Sequence, residues 1–247
     1  MGSSFRNPSF GGSSSGVLPQ GVKWLLISNT AIFLLQFILY QTAGVQLNFL
    51  KLIPSQFVGG YIWQPFTYMF LHDVHSTTHI LWNMASLFFT GPMLEMHWGT
   101  TRFLKYYFLC GVGAGLCVVI AGFLAGTPTV ATLGCSGALF GVLVAYGVLF
   151  PDVLFFGVIK AKWFVTIIGA ANLLDGIASR NAGVSHVAHL GGMAIGYLLI
   201  RFGFQARGIK SPQLDPIAWA QAQYKNYKLA RARKKFEVYM RNNQTRH

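Results

Sequence analysis

Six apolar stretches, at roughly 22–43, 79–98, 102–125, 136–150, 162–180 and 185–204, constrain this chain more than any other feature. About 20 mostly apolar residues, each rising about 1.5 Å in a helix, cross a hydrocarbon core of roughly 30 Å. These stretches are too long for strands, and the alternating pattern of a membrane barrel is missing. Across the chain 53% of residues are hydrophobic and 10% charged, where an ordinary soluble domain has about 25% charged. A soluble fold would have too few polar residues to cover its surface. Disorder is excluded by the apolar content, and a disulfide scaffold by a cysteine count of three. The expected fold class is all-α: a polytopic bundle of six transmembrane helices forming one domain over 22–204.

The flanks and the longest connection read differently. Residues 1–21, rich in Ser and Gly, are expected to be a flexible tail and not a signal peptide. Residues 44–78 are apolar and aromatic but interrupted by Pro54, Gly59, Gly60 and Pro65. A long loop with interfacial helical pieces is expected there, with Tyr61 and Trp63 at headgroup level. With both termini cytoplasmic, one side holds 17 of the 19 Lys and Arg residues, and the other keeps Lys51 and Arg180. The net charge of +13 is therefore mainly a topology signal. Residues 205–247 form a basic cytoplasmic tail. Within it, positions 225, 228, 231 and 235 put basic residues on one helical face, with Leu229, Ala232, Phe236 and Tyr239 on another. Such an amphipathic helix suits anionic lipid. No nucleic-acid recognition fold accompanies the charge, so no nucleic-acid partner is expected. The expected location is a bacterial inner membrane.

Polar groups in a bilayer interior are expensive and usually mark function or partnered packing. Four clusters stand out: His79 with Asn83, Gly134 to Gly137, Asn172 with Asp175, and Ser185 to His189. The fourth span is stopped by Pro151, so it is only about 22 Å long. If its lower end reaches the cytoplasmic surface, Ser136 starts a helix below the outer surface, and residues 126–135 dip inward as irregular backbone. Backbone of that kind survives only when buried in protein or lining a wet cavity. Ser is also a common helix N-cap, which is the bland reading of Gly134-Cys135-Ser136-Gly137.

The sixth span favours catalysis. His189 lies near its outer start, followed by Gly192 and Gly196; Gly137 and Gly141 form a matching small-residue face after Ser136. Faces like these let helix backbones approach closely in lipid. Packing them together brings Ser136 within reach of His189, the base that a serine nucleophile requires. Phe140, one turn below Ser136, is placed to support the imidazole. Asp73 and Asp175 are the acids on plausible segments, and spacing places neither, so the expectation is a Ser–His dyad without an aspartate. Asn172 and Asp175 are expected to make an interhelical polar contact. His79 and Asn83, one turn apart, could donate with the Ser136 N–H to an oxyanion.

These residues resemble the rhomboid family of intramembrane serine proteases. The matching pieces run in order: Trp63-Gln64-Pro65-Phe66-Thr67, Phe70-Leu71-His72, His79 to Met84, Glu95 to Gly99, Gly134-Cys135-Ser136-Gly137, and Ala188-His189-Leu190-Gly191-Gly192 with Gly196. Gln64 stands where many members have Arg, and Cys135 where a small or apolar residue is usual. The resemblance implies a six-helix bundle with Ser136 as nucleophile, His189 as base, and His79 and Asn83 lining the oxyanion hole. It also implies transmembrane protein substrates, cut in or beside the membrane, and neither metal nor cofactor. The rival readings are a metal site on His72, His75 and His79, Cys135 as nucleophile, and a non-catalytic relative that binds membrane clients.

Overall fold

The computed structural model describes residues 18–155, 157–178 and 183–204, with isolated positions from 224 to 240. Helix α1 covers Gln20–Ala43. The long connection after it holds two 3₁₀ turns (Asn48–Leu50 and Tyr68–Phe70) and two short helices, α2 (Pro54–Val58) and α3 (Gln64–Thr67). Then come α4 (Thr77–Trp98), α5 (Thr100–Leu124), α6 (Ser136–Leu149), α7 (Ala161–Ala178) and α8 (Gly183–Leu199), the last running on as a π-helical turn, Ile200–Phe204. Helices α1, α5, α7 and the run Ser185–Phe204 are long and apolar enough to cross a membrane. Helix α6 is apolar but has 14 residues. Helix α4 has 22 residues and carries His79, Asn83, Ser86, Thr90 and Glu95 along its length. The flexible-tail expectation for 1–17 lies outside the described residues, as do 235 and 239 of the basic tail; the described positions there are helical and exposed.

The structure is mostly helical, in keeping with the all-α expectation, with one small exception. A two-stranded antiparallel hairpin, β1 (Leu154–Phe155) with β2 (Ile159–Lys160), links α6 to α7. Two residues per strand are too few to leave a period-2 signature. Pro151 cannot continue α6, and Gly157 at φ 73° supplies the left-handed turn residue. Asp152 accepts bonds from Lys160 (3.1 Å) and Lys162 (3.0 Å) beside the hairpin.

The core is built around α6, whose Gly137–Leu139 and Gly141–Gly147 are buried among α4, α5, α7 and α8. Helix α7 is the least buried, with Ala161 its one buried residue. Two devices fasten the remainder. The Glu95 carboxylate, near the end of α4, accepts bonds from the Gly21 and Val22 N–H groups (both 2.7 Å) and the Thr100 hydroxyl (2.6 Å). It thereby satisfies two orphan donors at the α1 N-terminus, where negative charge is favoured. Gly99, at φ 78°, makes the reversal into α5 that brings Thr100 to the same carboxylate.

The long connection is tied to residues 126–135, the irregular segment before α6. Leu52 and Thr132 exchange backbone bonds (3.0 and 2.8 Å), Ser55 N–H donates to Pro128 O, and Gly134 N–H donates to Tyr68 O. Gln64 is buried: its Oε1 accepts from Ile53 N–H (3.1 Å) and its Nε2 donates to Gln56 Oε1 (2.9 Å). At Pro128, Thr132 and Gly134 the backbone of this segment thus finds partners in protein, and Thr132, Gly134 and Cys135 are its buried end. Tyr61 and Trp63 remain exposed, and Trp63 Nε1–H donates to Phe49 O.

Candidate active site

Ser136 is the first helical residue of α6, with Cys135 in the cap position. Its hydroxyl does not cap the helix, which removes the N-cap reading. Instead Ser136 Oγ and His189 Nε2 share a hydrogen bond at 2.9 Å. The two side chains come from different helices, so the seam between α6 and α8 sets that distance. Along the seam glycines are the only residues that fit. A Cβ on Gly192 would run into the carbonyl oxygen of Gly137; one on Gly196 would sit 2.8 Å from Gly141 Cα. A Cβ on Gly137 would lie 3.2 Å from Ala188 O and one on Gly141 3.1 Å from Gly192 O, while on the α5 side they would meet Ala114 Cβ and Cys110 Cβ, each at 2.7 Å.

The imidazole of His189 is held on three sides. Phe140 stacks on it, centroids 4.1 Å apart and planes 11° apart. Nε2 faces Ser136, and Nδ1–H donates to Asn172 Oδ1 on α7 at 2.8 Å. The sequence predicts an interhelical contact for Asn172 but does not identify His189 as its partner. A signal for it exists in the sequence: Asn172 and Asp175 are spaced i, i+3 on one apolar helix, and His186 and His189 likewise on the next. Asp175 Oδ2 meets His186 Nε2 at 3.2 Å, beside the histidine that neighbours the pair.

Facing the pair is a cavity of ≈ 500 Å³, lined by Ser136, His189, Phe140, His79, Asn83, Trp82, Ser86 and Ser185 among others. His79 and Asn83 reach it from α4. Asn83 Nδ2 is buried, and among the described residues no side chain or backbone group accepts a bond from it. His79 Nδ1 lies 3.5 Å from the Asp73 N–H, so that nitrogen is the acceptor and Nε2 carries the hydrogen. Gly134, at φ 114°, lets the chain pass beneath this imidazole: a Cβ there would lie 2.9 Å from His79 Nε2. His79, Asn83 and Ser136 at the start of α6 therefore share one hollow.

The remaining candidates lie elsewhere. Cys135 is fully buried, with Sγ directed to His72 Nε2 (3.7 Å) and away from His189. His72 is tied through its backbone to Gln36, and its ring stands edge-on to His79 at 5.2 Å. Burial, with His79 adding to it, pushes His72 down to about 3, so it is neutral. His75 packs edge-on against Tyr40. Among the described residues His72, His75 and His79 form no three-residue group that could hold a metal.

The Rhomboid domain model matches residues 59–206, which is the segment holding α4, α6, α8 and every residue of the hollow. RHOMBOID-like protein 1 of Arabidopsis thaliana is 35% identical over 146 residues, 56% of this chain and 33% of that protein. The Bacillus subtilis (strain 168) protein named "Putative rhomboid protease YdcA" is 33% identical over 139 residues, 56% of this chain and 65% of that one. Rhomboid protein 1, mitochondrial, of Saccharomyces cerevisiae is 34% identical over 125 residues, 49% of this chain and 36% of the relative. The match spans less than two thirds of the length of each of these relatives. The extent of the domain match, over a bundle rich in membrane-length apolar helices, makes this chain an integral membrane protein and a member of the rhomboid family.

Proposed function

We propose that the chain is an intramembrane serine endopeptidase that cuts transmembrane or membrane-adjacent segments of other membrane proteins. Helices α1, α4, α5, α6, α7 and α8 are the six spans, with both termini on the cytoplasmic side where the basic residues gather. The basic tail then meets anionic lipid. Ser136 lies on the far side, below the surface, because α6 is too short to reach it.

The reaction is acyl transfer. His189 Nε2 takes the proton of Ser136 as Oγ bonds to the substrate carbonyl carbon, and the carbonyl electron pair moves to oxygen. That oxyanion is met by the Ser136 N–H, His79 Nε2–H and Asn83 Nδ2–H. The imidazolium then protonates the departing amine as the C–N bond breaks. Water, deprotonated by the same nitrogen, hydrolyses the acyl-enzyme and frees Ser136. A substrate segment must first leave helical form, because a hydrogen-bonded helix hides its carbonyls.

The observation that carries this reading is the 2.9 Å Ser136–His189 bond opening on a hollow with an unpartnered Asn83 donor. The test uses the full chain in detergent with a fluorogenic single-span substrate. Wild type is expected to cleave, and Ser136→Ala and His189→Ala are expected not to. Equal cleavage by all three refutes the reading. Absence of both turnover and Ser136 labelling by a fluorophosphonate points to the client-binding alternative.

A further inference from the structure

We propose that Asn172 is a positioning residue for the dyad, fixing the tautomer and the angle of the His189 ring from α7. This rests on the Ser136–His189 reading above.

The argument runs through donors and acceptors. Asn172 Nδ2 donates to the backbone carbonyl of Ile168, one turn back on α7, at 3.0 Å. A carbonyl can only accept, so this bond decides which way the amide faces and leaves Oδ1 toward α8. An amide oxygen also can only accept, so the His189 nitrogen 2.8 Å away must carry a hydrogen. With Nδ1 protonated in the neutral ring, Nε2 presents its lone pair to Ser136 Oγ, 2.9 Å away. The opposite tautomer would make Nε2–H the donor and Ser136 Oγ the acceptor, and leave the serine without a base. Phe140 stacks on the ring but cannot choose between tautomers or stop rotation in the ring plane. Asn172 does both.

A helix otherwise weakly held supplies this control. Ala161 is the one buried residue of α7, yet its outer half approaches α8 closely, since a Cβ on Gly176 would sit 3.2 Å from His186 Cβ. Two polar rungs cross there, Asn172–His189 and Asp175–His186. The base is therefore oriented from outside the α6–α8 seam, and the dyad is competent only while α7 is seated on α8.

The experiment compares wild type, Ser136→Ala, Asn172→Leu and Asn172→Asp, each as the full chain in detergent. The leucine is close in size and accepts no bond; the aspartate keeps an acceptor oxygen. Asn172→Leu is expected to lower kcat about 10²-fold, the scale of a misplaced general base. KM should stay unchanged, and fluorophosphonate labelling of Ser136 should slow in parallel, while Asn172→Asp recovers most of the rate. Wild-type kcat in the leucine variant, a loss confined to KM, or equal impairment in both Asn172 variants overturns the proposal. Nitrogen NMR of histidine-labelled wild type, assigned with His189→Gln, is expected to show His189 hydrogenated at Nδ1. The Nε2–H tautomer overturns the proposal however the variants fold. If Ser136→Ala cleaves as wild type does, the dyad reading has failed. If it is inactive while Asn172→Leu is not, only the role of Asn172 has.

Discussion

Replacing Gly196 by alanine tests whether the glycine seam sets the catalytic distance. The new Cβ would stand 2.8 Å from Gly141 Cα, 3.0 Å from Gly141 O and 2.7 Å from Tyr106 Oη. Ordinary contact begins at 3.4 Å, so α8 must withdraw from α6 by roughly 0.6 Å at that level. Tyr106, which donates to Gly141 O at 2.8 Å, must yield as well. His189 lies two turns away on the same helix, and a rigid withdrawal stretches the Ser136–His189 bond from 2.9 Å to about 3.5 Å, the edge of bonding distance. Overpacking of this size costs about 1–3 kcal/mol. Misplacing a catalytic group by about 1 Å can lower the rate about 10²-fold, so a loss of about 10-fold to 10²-fold in kcat is expected. Gly203→Ala is the control, because nothing lies within 4 Å of a Cβ there. The assays are cleavage of a single-span substrate and thermal unfolding in detergent. Wild-type kcat and melting temperature in Gly196→Ala would show that the seam does not set the dyad.

Three further outcomes are expected. Asn83→Ala removes the buried unpartnered Nδ2 donor and should lower kcat about 10²–10³-fold with little change in KM; an effect on KM alone counts against an oxyanion role. Glu95→Gln replaces one of two accepting oxygens with a donor facing an N–H at 2.7 Å, which should lower stability by about 2 kcal/mol, read as a lower melting temperature. His72 is held at about 3 when folded, below about 6.5 for a free histidine. Above pH 6.5 the ring is neutral in both states. Below it only the unfolded chain takes the proton, so stability falls with pH, by about 2 kcal/mol between pH 7 and 5. Melting temperatures of His72→Gln should show a flatter acid slope, and an identical slope removes His72 as the cause.

The helices could be read from the sequence because lipid leaves the backbone few choices: apolar length alone locates each to within two residues at the described ends. Ser136, His189 and the glycines between them were legible for a related reason. Small residues on two helix faces have one economical way to meet, and that meeting carries the hydroxyl to the imidazole. The hairpin at 154–160 was not legible, since four strand residues carry no period. Asn172 was half legible. Its polarity in an apolar helix announced a partner, but which partner depends on the rotation of α7 against α8, which no spacing along one helix encodes. Gln64 was opaque for the same reason: its contacts with Ile53 and Gln56 come from loop closure.

The Glu95 cap on α1 has a consequence for biosynthesis. The amides of Gly21 and Val22 and the carboxylate that receives them are more than 70 residues apart in sequence. During translation the first helix is therefore made before the carboxylate that caps it, and the cap can form only once the α4–α5 corner exists. By then the same corner has set the spacing of α4, so the opening helix is added to a framework laid down after it. A cut in the exposed connection around Gly60 would leave α1 attached by that grip and by its packing, with no covalent link.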